Sequence, residues 1–122
     1  MQKSKFVHLI TILATLLCFV SCEYDTVEFD EVVIPPDQEV SFSNDIIPIF
    51  TSNCTQCHDN GGIAPNLSAS KAYNSLIDGN YINTENPGES KLFKKVDSGH
   101  GSLSPTEKQL ILEWITRGAN ND

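Results

Sequence analysis

Cys54-Thr55-Gln56-Cys57-His58 is the stretch on which the reading of this 122-residue chain turns. Two thiols three residues apart, with an imidazole directly after the second, form the attachment sequence for a c-type haem. On a turn of helix, positions i and i+3 share a face, so both sulfurs can reach the two vinyl groups of one porphyrin. The next residue then brings its ring under the iron as an axial ligand. A zinc site would need two more ligands, which the chain can hardly supply. A thioredoxin-like dithiol also uses C-x-x-C, but it needs a surrounding βαβ pattern, and none is visible. Dithiol chemistry and a chance match are the alternatives to haem at this point.

Working outward, the length leaves room for one domain. Acidic residues outnumber basic ones by 16 to 8, which argues against nucleic acid or an anionic membrane surface as a partner. Residues 1–21 read as an export signal. Lys3 and Lys5 make a positive start, and the apolar run Phe6 to Val20 is interrupted by His8, Thr11 and Thr15. That run is shorter than the roughly 20 residues a transmembrane helix needs. The stretch Cys18-Phe19-Val20-Ser21-Cys22 looks like a bacterial lipoprotein cleavage box, in which Cys22 becomes the lipid-bearing terminus. Cys18 is the poorer candidate because bulky Leu17 precedes it. Cysteine arithmetic agrees: if haem takes Cys54 and Cys57 and lipid takes Cys22, no thiol is left over in an oxidising compartment. An ordinary secretory signal cut nearby is the alternative, and either way the protein is exported.

Residues 22–42 read as an acidic flexible tether, with seven acids, no base, and Pro35-Pro36 favouring extended backbone. Its other reading is a docking arm for a basic partner, and Val32-Val33-Ile34 could add a short strand to something. The globular part is expected at 43–122. Ser43 or Asn44 can cap a helix that tolerates Pro48 in its first turn and carries Ile46, Ile47, Ile49 and Phe50 on an apolar side. Asp59-Asn60-Gly61-Gly62 is a loop by composition. Residues 70–77 read as a short helix stopped by Asp78-Gly79-Asn80. Asn86-Pro87-Gly88-Glu89 reads as the start of another, with Leu92, Phe93 and Val96 inward and Lys91, Lys94 and Lys95 outward. Ser98-Gly99-His100-Gly101-Ser102 is a flexible loop. Ser104-Pro105-Thr106-Glu107 is the clearest helix start in the chain, and its helix carries Leu110, Ile111, Trp114 and Ile115 before Gly118.

This order of helix, CxxCH, glycine loop, short helices, ligand loop and closing amphipathic helix resembles a class I cytochrome c domain over about Ser43 to Asn120. The segments "NPGESKLFKKV" and "LSPTEKQLILEWITRGA" are similar to those of small cytochrome c-like domains in bacterial lipoproteins. The resemblance implies an all-α fold of three to five short helices around one covalently bound haem c. It implies His58 as the proximal iron ligand and Pro65 as the carbonyl partner of its other ring nitrogen. It also implies Leu67 packed on the haem face, and Phe50 meeting Trp114 where the first and last helices cross. A domain of about 80 residues buries little apolar area unaided, so the haem-free chain is expected to be poorly folded.

The chain departs from the family at the sixth ligand. The family's methionine has no counterpart, since the one methionine is Met1, and His100 stands in the loop where it would be. A water-bound or vacant iron, or Lys94, Lys95 or a tyrosine as ligand, are the alternatives. Two strong axial ligands suit electron transfer to a redox protein partner, whereas an open site suits a haem sensor or peroxidase-like protein. The chain is poorly equipped with distal acid–base residues for an enzyme. The expectation is therefore a lipid-anchored electron carrier in the periplasm or cell envelope. A structural or dithiol lipoprotein without haem is the third reading.

Overall fold

Ser41 opens the first helical segment of the structure, a computed structural model that describes residues 32–122. The expected export signal, Cys22 and the first part of the acidic stretch lie outside the described residues. The Ser41 hydroxyl accepts the N–H of Asn44 at 3.2 Å, while the Asp45 carboxylate accepts the N–H of Ser41 at 2.8 Å. This reciprocal cap starts a π-helical turn, Phe42–Ile46, that runs directly into α1 (Ile47–Asn53). The cap expected at Ser43 or Asn44 is thus corrected to Ser41. Burial decides between them, because a turn that starts at Phe42 sends both Phe42 and Ile46 into the core.

Three further helices follow: α2 (Ala72–Asp78), α3 (Lys91–Asp97) and α4 (Pro105–Thr116). No strand occurs among the described residues, so the fold there is all-α. None of their helices is long and apolar enough to cross a membrane. The turn at 42–46 and α3 pack against α4, which also touches a 3-10 turn at Pro87–Glu89.

Phe42 is the aromatic hub. Its ring lies edge-on to Phe50 at 6.4 Å and to Tyr73 at 5.4 Å, and tilts against Trp114 at 5.0 Å. Such pairs contribute about 0.5–1.5 kcal/mol each beyond burial. Phe50 and Trp114 are both buried, but their ring contacts run through Phe42 rather than directly between them. Phe42 and Val40 also correct the boundary drawn at residue 43, since both belong to the core. Upstream of them the backbone is tied down too. The Arg117 guanidinium donates to the carbonyls of Gln38 and Pro35, the latter at 3.2 Å. Phe42 donates its N–H to the Asp122 carboxylate at 2.8 Å, and Ser43 donates its N–H to the Asp122 carbonyl at 3.0 Å.

The helix expected from Asn86 is broken in two. Pro87–Glu89 forms only a 3-10 turn, and Ser90 is extended (ψ 132°) before α3 begins at Lys91. The cause is Ser90 itself, which is 1% exposed. Its hydroxyl accepts the N–H of Asn83 at 2.9 Å and returns a bond to the Asn83 carbonyl at 3.3 Å. A buried hydroxyl must find partners, and these lie off the helix path. Asn86 makes no side-chain cap. By contrast α4 starts as its sequence implies. Ser104 and Glu107 exchange backbone bonds at 2.8 and 3.3 Å, and Gly118 (φ +101°) ends the segment after Arg117.

Candidate functional site

The Cys54–His58 motif sits just past the end of α1, in turns rather than on the helix. Cys57 and His58 both donate their N–H to the Cys54 carbonyl, at 3.1 and 3.0 Å. The glycine loop then folds back on the motif, with the Ile63 N–H bonded to the Cys57 carbonyl at 2.8 Å. Gly62 permits this return, because a Cβ there would stand 2.3 Å from the Cys57 carbonyl oxygen. Leu67 closes the loop by donating its N–H to the His58 carbonyl at 2.6 Å.

This folding fixes the His58 ring. Its Nδ1 lies 2.9 Å from the Ile63 carbonyl and 3.2 Å from that of Pro65. Carbonyls only accept, so Nδ1 must carry the proton, which leaves the Nε2 lone pair free in the neutral ring. Holding one ring nitrogen so that the other can bind a metal is how histidine ligands are oriented. The Pro65 carbonyl was anticipated. The shorter Ile63 contact was not, and its side chain, which is exposed, carries no sequence signal for it.

A cavity of about 300 Å³ opens beside the motif, within the ~300–1,000 Å³ range of small-molecule and cofactor sites. Cys54, His58, Pro65, Leu67 and His100 all line it, so five of the six residues named for the haem site meet at one place. The sixth, Cys57, is exposed and is not part of the wall. Leu92, Val96 and Ala64 make the wall largely apolar.

His100 lies beside His58 at the cavity wall, with ring centroids 5.9 Å apart and planes at 73° in an edge-type pair. The loop that carries it is shaped by Gly99 (φ +93°) and Gly101 (φ +84°), conformations glycine adopts freely. It rests close to Cys54, whose sulfur lies 3.9 Å from where a Gly101 Cβ would be.

Glu107 ties α4 to the motif. Its carboxylate accepts the Asn53 amide at 3.0 Å in addition to its bonds from Ser104. Burial first, and then the charge of Glu107, push the Cys54 thiol above its usual pKa. A protonated thiol is slow in thiol–disulfide exchange. Among the described residues no three His, Cys, Asp or Glu side chains gather as a metal-binding group. The pairing of two histidines at an apolar cavity is the site's distinguishing geometry.

No protein-family model, curated protein or solved structure matches this chain.

Proposed function

We propose that the chain is an exported, lipid-anchored monohaem c-type cytochrome that carries electrons. The observation that carries this reading is the closeness of His58 and His100 in one cavity with Cys54. Two imidazole nitrogens on one metal ion, each at about 2 Å, put the ring centroids roughly 6 Å apart, and the separation here is 5.9 Å. The CxxCH spacing specifies a haem rather than a bare ion.

In this reading Cys54 and Cys57 would hold the group covalently, and His58 and His100 would be its iron ligands. The Ile63 and Pro65 carbonyls hold the His58 proton on Nδ1 and keep Nε2 available. Leu67, Leu92 and Val96 exclude water from the macrocycle's faces. A c-type haem bound there supplies a one-electron ferric–ferrous couple. Two histidine ligands would suit electron carriage better than binding of a substrate at the iron. Cys22 would hold the domain to a membrane, and a redox protein would be the partner.

Intact-mass analysis tests both attachments at once. Protein matured in a host that attaches c-type haem should carry one haem mass that survives denaturation, plus a diacylglycerol adduct. Cys54→Ser with Cys57→Ser should lose the first, and Cys22→Ser the second. Haem that extracts freely from the unmutated protein would end the cytochrome reading.

A further inference from the structure

The cavity wall carries two ammonium groups that the haem reading does not yet use. Lys91 and Lys95 both line it, four residues apart on α3. Three other cations have carboxylate partners: Lys94 with Glu89 at 2.8 Å, Lys108 with Asp97 at 3.9 Å and Arg117 with Glu113 at 2.8 Å. Among the described residues Lys71, Lys91 and Lys95 have none, and of these only Lys91 and Lys95 line the cavity. Like charges at i and i+4 mildly destabilise a helix, and an anion bound between them in the cavity would relieve that. Lys91 is already steered toward the space, its Nζ lying 5.8 Å from the centroid of Tyr81, another wall residue.

We infer that Lys91 and Lys95 receive the carboxylates of the cofactor, so that its acidic edge is turned toward α3. This rests on the haem reading and gives the group an orientation within the cavity. Haem carries two carboxylates on one edge, and two ammonium groups one helical turn apart can each take one as a charge-assisted hydrogen bond. Lys94, one position before Lys95, is not part of this pair because Glu89 holds it.

The positive pair also favours the reduced iron, which carries one positive charge fewer. The test uses full-length haem-loaded protein and compares Lys91→Gln/Lys95→Gln with Lys71→Gln, an unpaired lysine away from the cavity. All three positions are exposed, so the variants should fold. The redox-induced infrared difference spectrum should show the haem carboxylate bands displaced in the double variant and unmoved in Lys71→Gln, and the midpoint potential should fall only in the former. Carboxylate bands that stay in place in the double variant, whatever the potential does, overturn the inference. Absence of covalent haem from the unmutated protein would instead refute the underlying reading.

Discussion

His100 is where a single side chain decides what kind of protein this is. With it on the iron, the haem protein should be low-spin in both oxidation states, at a potential below that of His/Met cytochromes, since thioether ligation raises it. His100→Ala should turn high-spin and take up carbon monoxide or cyanide, a change read directly in the visible spectrum. An unchanged low-spin spectrum would move the assignment to Lys95, which lines the same cavity. Glu107 gives a second prediction at this scale. The Ser104 N–H, then the Ser104 hydroxyl and the Asn53 amide, hold its carboxyl below the ordinary 4.5. A depressed carboxyl contributes stability that is complete above its unfolded value and lost as pH falls through the folded one. The stability gap between the unmutated protein and Glu107→Gln should therefore close on acidification below about pH 4.5, as followed by urea unfolding at stepped pH. That His100 shares a cavity with His58 was legible from its place in the glycine-flanked loop before Ser104. Ile63 and Gly62 were not legible. One acts through a carbonyl that every residue possesses, and the other through the absence of a side chain.

At the scale of elements, the most informative change is Ser90→Ala. It would leave the half-buried Asn83 N–H without its partner, at a cost of about 1 kcal/mol. For a domain of this size each kcal/mol lowers the melting temperature by roughly 4–8 °C, so calorimetry should register the loss clearly. A variant that melts with the parent would mean Ser90 merely fills space. The break at Ser90 could not be read from the chain because its partner lies seven residues upstream and only burial makes the bond obligatory. The α4 start was readable for the opposite reason, since Ser104 and Glu107 satisfy one another within a single turn. Ser41-Phe42-Ser43-Asn44 shows the case between. Several of its residues are competent caps, and packing of Phe42 and Ile46, rather than capping chemistry, selects Ser41.

For the whole molecule, the boundary is the feature to test. A haem-loaded protein starting at residue 32 should unfold like the full chain, whereas one starting at residue 43 lacks Val40 and Phe42. Losing a core phenylalanine alone costs about 3–5 kcal/mol, a large part of the 5–15 kcal/mol typical of a domain. Thermal unfolding of the two should separate them widely, and equal melting would return the boundary to residue 43. The all-helical character was plain from capping signals and helical spacing. Val40 and Phe42 were hidden because seven acids and no base run through residues 22–42, which reads as a solvated tether.

The bonds of Arg117 and Asp122 to the segment from Pro35 to Ser43 have a mechanical meaning as well. Where the chain enters the domain it is riveted to the region where it leaves. A pull arriving along the backbone at Ile34 is therefore borne first by the end of α4 and by the residues beyond it. Those bonds join the two ends of the described residues to each other, away from the loops that carry His58 and His100.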